Sequence, residues 1–154
     1  MSNSHQVQNV FRQAVARNRA GLDGNQMESR FGEYQGCPFL KLDKANWHNR
    51  GEVAIPGEIF FSIWRDENGR FNYNIHAFKL RHLTAYKIQS RKFAADFRNH
   101  LLSKKQGWPN ISVAYGPLTL MQGWVEDEDE IDELIAGFIL IHPIIDMLLE
   151  ENRK

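Results

Sequence analysis

Between Ile59 and Ala77 the hydrophobic side chains recur at every second residue, and this alternation constrains the fold more than any other feature of the chain. Ile59, Phe61 and Ile63 share one face of an extended run, Asp66-Glu67-Asn68-Gly69 supplies turn residues, and Phe71, Tyr73, Ile75 and Ala77 return on the matching face. Successive side chains of a strand point to opposite sides, so the two arms form an antiparallel hairpin with one apolar face. The other face of the return arm carries Asn72, Asn74, His76 and then Phe78, which is polar enough to be wet or to form part of a site.

Around this hairpin the period changes. Val7, Val10, Phe11, Ala14 and Val15 stand at helical spacing, which predicts an amphipathic helix over 6–19 ended by Gly21 and Gly24. The stretch from Asn25 to Arg50 is less regular, punctuated by Gly32, Gly36 and Pro38, with a short strand at Phe39 to Leu42. Ser90 caps a second helix with an apolar ridge of Phe93, Phe97 and Leu101, ended by Gly107. A second hairpin follows, with Ile111, Val113 and Tyr115 on one arm, a Gly116-Pro117 turn, and Leu118, Leu120 and Trp124 on the other.

The last helix starts in an acidic run, Glu126 to Glu130, that suits the positive end of the helix dipole. It continues through Ile131, Leu134, Ile135, Phe138, Ile141, Ile145 and Leu148, and Ile139, Leu140, Ile144 and Met147 widen its apolar surface beyond one stripe. Much of it should be covered, by the sheet and by a partner; Ile141, His142, Ile145 and Leu148 are the expected partner or dimer interface. Pro143 has no amide proton to give the carbonyl of Ile139, so a kink is expected there.

These elements predict a single α+β domain over residues 1–154, with 1–5 disordered: a mostly antiparallel sheet of two β-hairpins with three helices. The order is helix, short strand, strand, strand, helix, strand, strand, helix. It is similar to that of small secretion-chaperone folds and of accessory domains in bacterial defence proteins, a resemblance of element order alone, with no matching motif, that gives little weight to function. With 154 residues, 42% of them hydrophobic, the chain can bury one core. Cys37 is the only cysteine, which excludes an internal disulfide and fits a reducing compartment, so a cytoplasmic location is expected. Met1 to Gln8 lacks the basic-then-apolar order of a signal peptide. The longest apolar stretch, Ala136 to Leu149, is interrupted by His142, Pro143 and Asp146 and is shorter than the roughly 20 residues of a membrane span, so no membrane role is expected.

The formal net charge of zero hides a segregation. From Arg70 to Lys105 nine basic residues face a single acid, Asp96, whereas Glu126 to Glu151 holds ten acids and no Lys or Arg. Such asymmetry marks either a polyanion-binding face or two surfaces that attract each other. Arg81, Lys87, Arg91, Lys92 and Arg98 are the candidate basic face, with Tyr86 or Trp108 as a stacking surface for a base.

Motifs that name a reaction are missing. No glycine pattern cradles a phosphate, and Cys37 has its nearest downstream histidine, His48, eleven residues away. The acidic run lacks the spacing of a calcium loop, and Ala77 stands where an acid two residues before Lys79 would be needed for a nuclease element. A zinc site assembled from His76, His82 and an acid has no spacing signature, and neither a metal nor a cofactor is expected.

The leading expectation is a small non-enzymatic protein-binding or accessory protein, chaperone-like or homodimeric, with a protein partner or self-association. The alternatives are a nucleic-acid-binding domain using the basic 79–105 region and an enzyme with a histidine-centred site between the hairpins. The latter would use His76, Asn74 and His82 with a carboxylate such as Glu58.

Overall fold

The computed structural model describes residues 4–103, 107–112 and 116–154. In chain order the elements are α1 (Ser4–Arg17), α2 (Arg19–Gly24), β1 (Glu28–Tyr34), β2 (Cys37–Asp43), β3 (Glu58–Arg65), β4 (Phe71–Phe78), α3 (Ser90–Ser103), β5 (Thr119–Val125) and α4 (Ile131–Glu151). The strands form one antiparallel sheet in sequence order, β1-β2-β3-β4-β5. This is the α+β class that the alternation predicts, with four helices in place of three.

The central hairpin pairs Phe61 with Ile75 and Ser62 with Asn74. Its turn is closed by Asp66, whose Oδ1 accepts hydrogen bonds from the backbone amides of Asn68 (2.9 Å) and Arg70 (3.0 Å). Gly69 takes the left-handed conformation, φ +81°, that the turn requires.

One departure has a local cause. The irregular stretch before Arg50 contains a whole strand, β1, joined to β2 by Gln35 and Gly36 at φ 51° and 79°. A two-residue hairpin loop needs positive φ at both positions to follow the strand twist, and Gly36 supplies one at no steric cost. Of the expected second hairpin the described residues hold β5 and an isolated bridge between Ser112 and Gln122, and its arm through Val113 and Tyr115 lies outside them. At the amino terminus α1 begins at Ser4, inside the segment expected to be disordered.

The core lies on one side of the sheet. Leu40 and Leu42, Ile59, Phe61 and Ile63, and Tyr73, Ile75 and Ala77 point into it and are buried. The helix α4 closes this side: Phe138 stacks on Phe61 with ring centroids 4.3 Å apart and planes within 11°, and Trp47 meets Phe138 edge-on at 5.8 Å. Eleven residues of α4 are buried, Ile141, His142, Ile145 and Leu148 among them. The four residues expected at a partner interface therefore sit inside the chain's own core. The breadth of apolar surface on α4 is taken up by the sheet, α1 and α3, leaving Leu140 and Met147 as its exposed large hydrophobic side chains.

The helix runs unbroken through Pro143. Proline at this position leaves the carbonyl of Ile139, four residues back, without its helical donor. His142 fills the gap: its Nδ1 donates to the Ile139 carbonyl at 2.6 Å. Burial lowers the His142 pKa below the ordinary histidine value, opposed by that hydrogen bond, so the ring serves as a neutral donor. One turn on, Asp146 accepts hydrogen bonds from Lys44 Nζ (2.6 Å), Trp47 Nε1 (2.8 Å) and Asn46 Nδ2 (3.2 Å), tying the loop after β2 to α4. Burial raises the Asp146 pKa, but these donors outweigh it and hold the carboxyl below the usual range.

His142→Leu should leave the part-buried Ile139 carbonyl unpaired, at a cost of about 1 kcal/mol in urea denaturation. Adding Pro143→Ala restores the amide donor, so the double variant should recover most of the loss; equal destabilisation of both variants would contradict the assignment.

Candidate binding face

The side chains between the inward-facing ones point away from the helices, and the register sorts them into rows across the strands. Phe39 lies opposite Trp64, and Trp64 opposite Asn72; in the next row Lys41 lies opposite Ser62 and Ser62 opposite Asn74. Phe60 and His76 are paired in the row beyond. A polar row thus runs between two rows rich in aromatic rings. Strand β3 is hydrophobic on both faces, Phe60 and Trp64 on this side and Ile59, Phe61 and Ile63 on the other, whereas the helices of the described residues pack against the inner side.

These rows floor an open groove of about 530 Å³ lined by Tyr34, Phe39, Lys41, Phe60, Trp64 and His76, with Cys37, Ser62, Asn74 and Glu67 around them. The volume is that of a ligand site, and the lining is predominantly apolar with a few polar groups. Tyr34, at the β1–β2 hairpin tip, is 70% exposed. Gly32 makes room for Phe39, since a Cβ there would collide with the ring.

Lys41 and His76 set the electrostatics. Lys41 Nζ lies 4.3 Å from the centroid of the Phe60 ring and 4.8 Å from that of Phe39, within cation–π range. Burial lowers the Lys41 pKa and the guanidinium of Arg30 adds to it, against the opposing pull of Glu58. The His76 ring lies 4.9 Å from Phe60 and 5.9 Å from Phe78, and burial lowers its pKa too, with Glu58 pulling the other way. The result is a neutral imidazole near pH 7, with one ring nitrogen a donor and the other an acceptor. Beside it Ser62 Oγ donates to Asn74 Oδ1 at 2.5 Å, which orients the Asn74 amide nitrogen away from that bond.

The residues singled out from sequence divide. Asn74 and His76 stand together on this face, and Glu58 lies at its lower end with Oε2 held by Arg50 Nη1 at 3.1 Å. His82 is elsewhere, in the turn after β4: its Nδ1 contacts the Ile55 carbonyl at 2.7 Å and its carbonyl accepts from Asn49. Cys37 and His48 are separated by the length of β2, roughly 20 Å of extended chain, too far for a nucleophile and its base. Of the basic set, Arg81 and Lys87 are exposed in connecting segments, and Arg91, Lys92 and Arg98 lie on α3. Arg98 donates to the carbonyls of Gly116 and Thr119, each at 2.8 Å, and so staples the approach to β5, while Lys92 pairs with Asp96 at 2.7 Å. The acids of the last helix are partly answered within the chain, Asp132 by Arg17 and Asp146 by Lys44.

Sequence reasoning missed Tyr34, Phe39, Lys41, Phe60 and Trp64. The signal was present in β3, which is apolar on both sides: the helices cover one, and on the other Phe60 is buried against Lys41 and His76 while Trp64 is part-exposed. A separate gathering of Glu28, Asp43 and His48 near the lower end of the same sheet places three potential metal-ligand atoms within 4.8 Å of one another.

Comparison with family models, with curated proteins and with solved structures returns no match, so the likeness of element order to chaperone and defence-associated folds gains no support.

The lowered His76 and His142 pKa values imply a sign for the pH dependence of stability. Both groups bind protons more readily when unfolded, so stability should be level above about pH 6.5 and fall as the pH drops below it toward the folded-state values. Urea midpoints at pH 7.5 and 5.5 measure this, and His76→Asn should flatten the difference; a protein that gains stability on acidification would contradict it.

Proposed function

We propose that this chain is a small non-enzymatic binding protein whose working surface is the outer face of β2–β4, and that the occupant of its groove is an extended segment of a protein partner. The observation that carries the reading is the placement of Lys41 and His76, two ionisable side chains partly desolvated among aromatic rings on the face opposite the helices of the described residues. Perturbed ionisable groups in an apolar cleft are the usual mark of a site.

The chemistry narrows the partner. Lys41 is the cation among the lining residues, held off from water by Phe39 and Phe60, so an incoming carboxylate gains a charge-assisted hydrogen bond at a place where water competes poorly. The rings on either side fit apolar or aromatic neighbours. A peptide with one acidic side chain between apolar ones, spaced at the two-residue repeat of a strand, meets both requirements. A nucleic acid strand is less well matched, because its affinity comes from several cations along the phosphates. An enzyme reading lacks its second histidine, since His82 is committed to the loop at Ile55.

The test is selection from a random peptide library, followed by fluorescence anisotropy with the selected peptide. Selected sequences should carry an acid flanked by apolar residues. Lys41→Met should weaken their binding tenfold or more, the equivalent of losing one charge-assisted hydrogen bond of about 1.5–3 kcal/mol, and Trp64→Ala should weaken it as well. Peptides that bind both variants as tightly as the original chain would place the site elsewhere. Binding of a single-stranded oligonucleotide pool that collapses with salt and with Arg91→Glu would replace this reading with a nucleic-acid one.

A further inference from the structure

We propose a second site, a divalent transition-metal centre formed by Glu28, Asp43 and His48. Three elements bring these residues together. Glu28 opens β1 and is the register partner of Asp43 at the end of β2, while His48 comes from the following loop, which is anchored to β3 by a bridge to Glu58. One ligand atom from each lies within 4.8 Å of the others.

Asp43 supplies the independent observation. It is fully buried, and both guanidiniums that reach it, Arg30 Nη2 and Arg50 Nη2, bind the same oxygen, Oδ2, at 3.0 Å. Its Oδ1 is buried without a hydrogen-bond partner among the described residues. A carboxylate oxygen withdrawn from water and left without a donor is costly, and a cation removes that cost. The two arginines then act as supports of the kind that ligating carboxylates commonly have, with Oδ2 held and Oδ1 presented. The surrounding charge is balanced, with Glu28, Asp43 and Glu58 set against Arg30, Arg50 and Lys41, so a bound cation draws on the local contacts of its ligands and not on a net negative field. Among the described residues the His48 ring accepts one long hydrogen bond, from the Arg50 amide to Nδ1 at 3.3 Å, so ligation through either nitrogen disrupts little.

The donor set, one imidazole and two carboxylates, suits zinc or a neighbouring first-row ion better than calcium or magnesium, which favour all-oxygen shells. Three protein ligands leave a fourth position to water. The site lies two residues along β2 from Lys41 but shares no ligand with the groove, so it stands or falls independently of the peptide reading.

The experiment is calorimetric titration of zinc into the full chain after chelator treatment, with thermal unfolding of the same samples. One zinc per chain should bind and raise the unfolding midpoint, and affinity should fall as the pH is lowered, since the ligands must shed protons. Glu28→Gln and His48→Ala should each weaken binding at least about tenfold. His100→Ala, an exposed histidine on α3, should leave it unchanged. Asp43 is kept intact in these variants, because its removal would strand Arg30 and Arg50. Absence of zinc binding, or stoichiometric binding that survives Glu28→Gln and His48→Ala together, would overturn the site.

Discussion

The stack of Phe138 on Phe61 is the contact on which the arrangement of this protein depends. It seats α4 on the third of five strands, and Trp47 completes it edge-on while giving its indole N–H to Asp146, eight residues and about two turns further along the helix. Core phenylalanines of this kind cost roughly 3–5 kcal/mol when truncated, against a total stability of about 5–15 kcal/mol for an ordinary domain. With α4 so placed, α1 and α3 find their apolar ridges covered by packing against it and the sheet. The helix tolerates a proline because His142 replaces the hydrogen bond that Pro143 removes.

Concentrating the helices on one side decides what the other side becomes. A five-stranded sheet covered once leaves rows of outward side chains, and here those rows hold Phe39, Phe60 and Trp64 around Lys41 and His76. Phe60 is buried, but Phe39 and Trp64 are part-exposed beside a partly desolvated amine, and the proposed partner segment would cover them. The cation and imidazole stay pinned by their neighbours, so a ligand would meet a surface organised before it arrives.

The alternation at Ile59 to Ala77 made the central hairpin legible, because a period of two in an uninterrupted run has few other solutions. Strand β1 was hidden: Glu28, Arg30 and Glu33 break the apolar alternation, and its pairing depends on the positive φ angles of Gln35 and Gly36, a property of the turn rather than of the strand. The apolar breadth of α4 was visible but ambiguous, since sequence does not say whether Ile141 or Leu148 meets the same chain or another. The basic run was misleading for a similar reason. Arg98 counts as a surface charge until its guanidinium is seen on the carbonyls of Gly116 and Thr119. The metal-ligand group was beyond reach, because Glu28, Asp43 and His48 are joined by register and loop path with no characteristic spacing.

The most direct test of the central claim, that the outer face of the sheet is the working surface, is to map backbone amide chemical shifts by NMR while titrating a selected peptide. The account predicts shifts concentrated at Phe39, Lys41, Ser62, Trp64, Asn74 and His76. Shifts concentrated instead at Leu140 and Met147 on α4, or at Lys87 and Arg91 beside α3, would contradict it.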